Sequence, residues 1–479
     1  MNWDWLLAWF YVGTLWFVQL CMLLDYFFLV GRKSDYMLCM TIRGEQRRDA
    51  DVMRVLCEFK KKYWMMNGVM CVTAAGVFLI VLLPAGLASL PIFYMTFWLT
   101  GLILWQYKVV RTYTNRMYEL KIEKGWGNPP KESVVTVDTV VSRMKKSMPV
   151  SEIWLAIPAW ICIGSFVWWF SCATEYKVLL ISLISNVAAF ALFCYMYHRM
   201  AHGKLKVYSE DSEINYALNR TAKKAWTGCV VWEAVLICGY HFVITLFMHS
   251  YMKNVSAGVE DMNGFLVGFI GSTVGAMALI FGVFFVAANR VKQAKKELAA
   301  AADFSYAEDE DAYWRNGYYY NPNDTNTFVE NRGYGITTNM ATKWGPITKW
   351  MLIGAFVLCI GLGIATFPLD FGKMTMRVGA DRIELKGCLY YKETFAFDDV
   401  TEVHLLTECP ESSRVWGTGT DRFAMGEYHF KDYGSGTAML DRDAEYFILA
   451  KRENGKWFGF GVKDNEGMLS VYERLKQSE

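Results

Sequence analysis

The residues best suited to chemistry in this sequence are four polar side chains set inside long apolar runs. Asp25 lies in CMLLDYFFLV, Glu233 and His241 in CVVWEAVLICGYH, and Asn186 in ISLISNVAAF. An ionisable group in hydrocarbon is costly, so it faces a bundle interior or a wet cavity and counts as a functional candidate. Counted from the inner ends of their runs, Asp25 is about six residues in and Glu233 about eight, which places both roughly 9–12 Å deep at 1.5 Å per residue. Two carboxylates at one depth could share a proton or hold a cation. Two plainer readings stand beside that one: Asp25 is close enough to the interface to be hydrated, and Glu233 is protonated and hydrogen-bonded to a neighbouring helix. His241 sits about 12 Å further along the helix than Glu233.

Other patterns carry less. The HRMAH at 198–202 puts His198 and His202 four apart on one helical face. It lacks the Glu of H-E-x-x-H and a nearby third ligand, so it reads as an interfacial pair and no metal is expected. No Walker A loop, nucleophile elbow or dinucleotide fingerprint is present, and WGTGT at 416–420 reads as a hairpin loop. The chain is not expected to be an enzyme, to hold a cofactor or to bind nucleic acid. Twelve Cys are scattered without a C-x-x-C pair, and Cys71, Cys194, Cys229 and Cys359 fall in apolar runs, where Cys acts as a small hydrophobe. Cys388 and Cys409 are a conceivable pair that spacing alone leaves open.

The elements that must position these groups are membrane-spanning helices. Of 479 residues 54% are apolar, the mean hydropathy is +0.16, and the excess collects in runs of the length that crosses roughly 30 Å of hydrocarbon. Eight spans are expected, at Trp5–Val30, Met66–Leu83, Pro91–Tyr107, Ile153–Phe170, Val178–Tyr197, Trp226–Met248, Phe265–Ala288 and Trp350–Phe367. The connections 84–89, 171–177 and 249–261 are short, whereas 31–65, 108–152 and 198–224 are long and rich in Lys and Arg. Positive loops stay in the cytoplasm. The N-terminus and the short hairpins are therefore expected outside, and after eight crossings so is the C-terminal region. From Asp370 onward the chain carries 15 Lys and Arg against 20 Asp and Glu, which agrees. The N-terminal run is too long for a cleaved signal sequence.

Domain organisation follows. Residues 1–110 hold spans one to three with a cytoplasmic loop at 31–65; 111–152 is a cytoplasmic connection; 153–288 holds spans four to seven; 289–349 is cytoplasmic; 350–368 is span eight; and 370–479 is a small β domain. In the last, MTMRV, RIELKG and YFILAKRENGKWFGFGV read as strands, ENGK at 453–456 as a hairpin turn, and NEGMLSVYERLK at 465–476 as a closing amphipathic helix. Within span seven Gly264, Gly268, Gly271, Gly275, Ala278 and Gly282 put small residues on one face, which predicts close helix packing, first against another helix of this chain and otherwise as a sliding surface for gating or a homodimer seam. Pro158 predicts a kink in span four.

Between the last two spans lies YWRNGYYYNPND at 313–324, too polar to cross lipid and too aromatic for an ordinary linker. Asn321-Pro322 predicts a turn, and the rings of Trp314, Tyr318, Tyr319 and Tyr320 supply apolar contact. The module could dock on the membrane surface, bind a cytoplasmic partner, or staple the inner ends of neighbouring helices.

NRMYELKIEKGW at 115–126, followed by VVTVDTVVSRMKK at 134–146, resembles the first long cytoplasmic stretch of a group of multi-pass membrane proteins of Firmicutes-type bacteria. The 313–339 segment looks like the short domain of unknown function those proteins carry. Its pattern falls on Trp314, Gly317, Tyr319, Tyr320, Asn321, Pro322, Asp324, Val329, Gly335, Thr337 or Thr338, and Asn339. The C-terminal region, with GEYHFKDYGSG and YFILAKRENGKWFGF, is similar to their PH-like domain. Some relatives share a segment with the toxin-immunity protein SdpI, whose Pro-x-His motif is absent here. The resemblance implies an α-helical polytopic bundle with a C-terminal PH-like β domain in the bacterial cell membrane. It transfers no activity.

Two functions are expected from these parts. One is a sensory or regulatory scaffold of the cell envelope, with a protein partner on the PH-like domain or the aromatic module. The other is a transporter or immunity-type protein that works by protonation of Glu233, with or without Asp25.

Overall fold

The computed structural model describes residues 3–478 except 32–35, 43, 82–88, 128–138, 210, 260–261, 300–309, 333–334, 389 and 464. The hairpin at 84–88 and the stretch 134–138 therefore lie outside the described residues. The chain is 64% helical, with long apolar helices followed by a C-terminal β-rich region.

The helices form two packed groups. The first contains α1 (Trp3–Leu29), α2 (Ala50–Ala74), the short α3 (Gly76–Val81) and α4 (Ser89–Glu123). A second set comprises α5 (Thr139–Arg143), α6 (Ala156–Cys172), α7 (Leu179–His202), α8 (Ser212–Ser256) and α9 (Met262–Ala299). The chain returns through α10 (Trp344–Phe371), which packs along α4. Capping fixes two of the polar starts: Asp49 accepts from the backbone N–H groups of Asp51 and Val52 at α2, and Asp211 from that of Glu213 at α8. α2 breaks into α3 at Ala75, where the Tyr94 hydroxyl donates to the Thr73 carbonyl.

Seven of the expected spans coincide with helices long and apolar enough to cross a membrane among the described residues, which marks a membrane protein. The remaining expected span, Pro91–Tyr107, lies in α4, where Tyr, Thr, Trp and Gln dilute the aliphatic residues. The two longest helices outrun the bilayer by the most. α8 has 45 residues and α9 has 38, against the 20 or so needed to span, so their charged ends project as helix beyond it. Pro158 corrects the expected kink. It falls in the first turn of α6, just after a 3-10 turn at Glu152–Leu155, where it marks the start of the helix. The proline inside a helix is Pro368, in α10.

Two small hairpins sit at one end of the bundle: β1 (Tyr36–Met37) with β2 (Met40–Thr41), and β3 (Phe328–Glu330) with β4 (Ile336–Thr338). At the other end is the β-rich region. β5 (Thr375–Val378), β6 (Arg382–Lys386) and β7 (Lys392–Ala396) form an antiparallel sheet. β8 (Val400–Leu406), β9 (Ser412–Gly419), β10 (Phe423–Phe430), β11 (Gly434–Asp441), β12 (Phe447–Arg452) and β13 (Trp457–Gly461) form a second sheet in the order 8-12-13-11-10-9, with β11 and β13 parallel. The turn at 453–456 joins β12 to β13, with Gly455 at a φ of 78°. The amphipathic α11 (Asn465–Ser478) buries Met468, Val471 and Leu475 in the same core as Ile383, Phe395, Phe458 and Phe460. Leu369, from the end of α10, is buried there too. Val415 of β9 packs with Trp169, Tyr176 and Val255, so this region rests on the ends of α6 and α8.

Candidate functional site: the aromatic junction and the buried polar groups

The aromatic module is built as a network of side-chain-capped turns. Asn321 accepts from the Asn323 N–H at 2.9 Å, and Asp324 does the same for Asn326 at 2.9 Å, the Asx turns that Asn and Asp favour. Asn339 is fully buried and ties the two ends together. Its Oδ1 accepts from the N–H groups of Asn321 (3.0 Å) and Ala341 (3.1 Å), while its Nδ2 donates to the carbonyls of Asn321 (2.8 Å) and Asp324 (2.7 Å). The Tyr319 hydroxyl receives Asn321 Nδ2 at 3.1 Å and donates to Asp324 at 3.3 Å. Burial pushes that phenol up, so it stays a donor.

Trp314 and Tyr319 are buried against each other, with ring centroids 5.1 Å apart, whereas Tyr320 and Pro322 face outward. Gly317, at a φ of 80°, lies over Val110, where a Cβ would come within 3.2 Å. Tyr318 stacks on Tyr107 of α4.

Beneath these rings sits a charged centre that sequence patterning does not reveal. Asp311 is shared by Lys121, whose Nζ is 2.5 Å away, and by Arg332. The three side chains are 5%, 2% and 4% exposed. Asp311 also accepts the Thr41 N–H at 3.1 Å and the Thr41 hydroxyl at 3.0 Å, so both carboxylate oxygens are saturated. Lys121 donates further to the Thr41 carbonyl at 2.8 Å and Arg332 to the Cys39 carbonyl at 2.9 Å. The guanidinium lies between the rings of Tyr36 (5.2 Å) and Trp314 (5.6 Å), a cation–π sandwich. One carboxylate thus joins the β1–β2 hairpin, α4 and the module.

A second ring of contacts ties the module to the other helix group. Lys206 meets Glu310 at 3.4 Å and Lys295 meets Glu330 at 2.7 Å. Asn326 exchanges hydrogen bonds with the backbone of Lys204 (2.6 and 3.2 Å), and Arg199 donates to the Thr327 hydroxyl at 2.6 Å. Burial alone would raise the Glu310 carboxyl, but Lys206 and then Arg332 hold it below the ordinary range. Burial opposes the charge on Lys206 as well, and Glu310 overcomes it and keeps the ammonium protonated. Between the module and α8 is a cavity of about 100 Å³ lined by Arg199, Lys206, Lys223, Trp226 and Glu330, among others. Lys223 spends its donors there on the Met200, Ala201 and Gly203 carbonyls at the end of α7.

The polar groups read from the sequence at depth are spread over the two helix groups. Asp25 is on the exposed side of α1, which packs on α2, α3 and α4, and Glu233 is on α8, which packs on α6, α7 and α9. The expected shared proton therefore has no geometry to support it: the two carboxylates belong to different packed groups. Glu233 is half-buried, and the Cys229 thiol donates to it at 3.3 Å. Asn186 is buried and donates to the Cys238 carbonyl at 3.3 Å, and its own Oδ1 has no partner among the described residues. His241 packs beside Tyr240, and its Nδ1 likewise has no partner among the described residues.

The glycine face of α9 is a second correction. Gly271, Gly275 and Gly282 are exposed and nothing lies within 4 Å of a Cβ added to any of them; Gly268 alone of the four abuts a side chain, Phe247. α9 packs on α8 through Gly268 and, further along, through Ala287, Ala288 and Val291 against Ala225, Trp226 and Cys229, so Gly271, Gly275 and Gly282 point away from the chain. His198 and His202 stack with centroids 4.3 Å apart, and among the described residues no group of three His, Cys, Asp or Glu side chains is arranged for a metal. Cys388 is buried in the β core beside Gly372 while Cys409 packs in a separate cluster, and neither is bonded to the other.

These features define a helical membrane protein with a β-rich C-terminal region and a buried ionic junction. The chain matches no protein family, no curated protein and no solved structure.

Proposed function

We propose that the chain is a multi-pass protein of the bacterial cell membrane that acts as a sensory or regulatory scaffold, with its aromatic junction in the cytoplasm and a PH-like β domain on the outer surface. The carrying observation is α10. It follows directly on the module, whose Tyr319 carbonyl accepts the Met340 N–H at 2.9 Å, and ends with Leu369 inside the β core. A displacement of the β domain by a ligand or partner therefore bears directly on the junction. Near the β domain Ser89 of α4 donates to Asp370; near the junction Lys121 of the same helix holds Asp311. α4 and α10 thus run side by side between the two ends, which supports α4 as an eighth crossing and favours the even count. Two sheets around one core with a closing helix support the PH-like reading of the β region.

The test uses cells that produce the full chain and a derivative lacking 375–479. Loss of an envelope-stress or antibiotic response in the derivative, at normal membrane levels, is expected; an unchanged response refutes the scaffold. Sidedness needs its own probe. Cys388 is buried, so a cysteine at the exposed Tyr390 is the outer reporter and the exposed native Cys57 on α2 the inner one. A membrane-impermeant maleimide is expected to reach Y390C in intact cells and Cys57 only after permeabilisation.

A second reading, transport or immunity through Glu233, is kept because this half-buried carboxylate has a thiol as its hydrogen-bond partner and no ion pair among the described residues. Glu233→Gln at normal protein levels should then abolish activity, and full activity in that variant rules it out.

A further inference from the structure

We infer that the groove between α8 and α9, at the end nearest the aromatic junction, is a binding site for the phosphate of an anionic phospholipid. This does not depend on the scaffold reading. The groove measures about 340 Å³ and is lined by Tyr216, Arg220, Thr221, Lys224 and Arg290, with Ala217 and Ala225. Its size is at the lower end of pockets that hold small ligands.

Three cations line it, and among the described residues no carboxylate does. That sets it apart from the rest of this end of the molecule. Lys206 and Lys295 are matched by Glu310 and Glu330, and Lys223 is taken up by three carbonyls. Arg220, Lys224 and Arg290 have no ion pair among the described residues, although Arg220 lies over the Tyr216 ring at 5.9 Å. Tyr216, Arg220 and Lys224 recur every four residues, so they stack along one side of α8, and Arg290 faces them from the antiparallel α9.

Depth identifies the ligand. Ala225 and Trp226 are buried against Ala287, Ala288 and Val291, closing the base of the groove with apolar packing. The apolar part of α8 begins at Trp226, so Lys224 lies about 3 Å and Arg220 about 9 Å below it along the helix. The headgroup layer occupies roughly 5–8 Å on each side of the hydrocarbon, so the Lys224 backbone lies within it and the Arg220 backbone at its outer edge. One turn above Arg290, Val286 is exposed and offers an acyl chain a surface. Basic pockets between spanning helices at this depth suit anionic headgroups.

The experiment titrates the purified full chain in neutral detergent with phosphatidylglycerol, phosphatidylcholine or inorganic phosphate, and follows thermal stability and lipid retention by native mass spectrometry. Phosphatidylglycerol is expected to raise the melting temperature and remain bound, while the other two do neither. In R220Q/K224Q/R290Q its apparent affinity should fall by about tenfold or more. The charge-retaining R220K/R290K chain should keep most of the effect, which separates loss of charge from misfolding. Lys292→Gln with Lys296→Gln, two exposed cations outside the groove, should leave it unchanged. An equal effect of phosphatidylcholine, an effect reproduced by phosphate alone, or equal losses in the groove and control variants would each overturn the assignment.

Discussion

The ammonium nitrogen of Lys121 lies 2.5 Å from a carboxylate oxygen of Asp311, 190 residues further along the chain, with both side chains almost fully removed from solvent. Lys121 comes from the last turn of α4 and Asp311 from the threshold of the aromatic module. Their contact makes the module part of the first helix group.

Removal of Asp311 leaves Lys121 and Arg332 as buried charges without their counterion. Asp311→Ala should cost about 3–5 kcal/mol, the range for breaking one side of a buried pair. The loss should also be visible locally. Cys39 is buried, and burial pushes its thiol up to about 12; its carbonyl is held by Arg332, which Asp311 orients. Maleimide labelling of Cys39 in detergent-solubilised protein should accelerate more than about tenfold, the factor that corresponds to 1.4 kcal/mol of easier opening. Unchanged labelling would show that the hairpin is held by other contacts.

The junction should weaken in acid. Glu310 has a folded carboxyl held below its ordinary value, after burial, by Lys206 and Arg332. A depressed carboxylate contributes stability that is present above its unfolded pKa, about 4.3, and is lost as pH falls through the folded value. Lys206 is shifted upward by Glu310 against burial, so its share persists below about 10.4 and is lost only at higher pH. Melting temperature measured from pH 7 to 3 should fall in the native chain and fall less steeply in Glu310→Gln.

Gly335 carries a backbone requirement that can be separated from a steric one. Its φ is 84°, and a Cβ there would lie 2.3 Å from the Phe284 ring of α9. Gly335→Ala should destabilise by about 2–4 kcal/mol, combining left-handed strain with overpacking. Adding Phe284→Leu should recover the overpacking part and leave the strain. Denaturation of both variants checks this; complete recovery would mean that the backbone relaxes.

Much of this architecture was legible because hydrocarbon imposes a strong signal. Runs such as Trp226–Met248 and Phe265–Ala288 had to be helices, and ENGK had to turn a hairpin. The motif residues Trp314, Gly317, Asn321, Asp324 and Asn339 were legible as a module, though their individual bonds were not. What escaped was the set of partners brought together over long separations. Lys121, Asp311 and Arg332 look like ordinary charges in polar stretches, and no periodicity announces that they are buried. The β1–β2 hairpin escaped for a different reason. Its turn residues, Leu38 and Cys39, adopt positive φ of 48° and 61° without the Asn or Gly that such a turn favours. Arg332 on the Cys39 carbonyl helps to hold that conformation. The glycine face of α9 was legible as a pattern, but composition cannot say which way a face points.

That face permits a test in which neighbouring glycines give opposite results. Gly268 is beside Phe247, and an added Cβ would approach the ring to 2.9 Å; at Gly271 and Gly275 nothing lies within 4 Å. Gly268→Ala should therefore destabilise the detergent-solubilised chain, because α8 and α9 must part to admit a methyl group. Gly271→Ala and Gly275→Ala meet no neighbour and remove glycine from a helix interior, so each should leave stability unchanged or raise it by up to about 1 kcal/mol. Thermal unfolding of the three single variants, with mass by light scattering, reads the difference. If Gly271→Ala and Gly275→Ala destabilise as strongly as Gly268→Ala, the face is covered in the folded protein and the open surface of α9 is wrong.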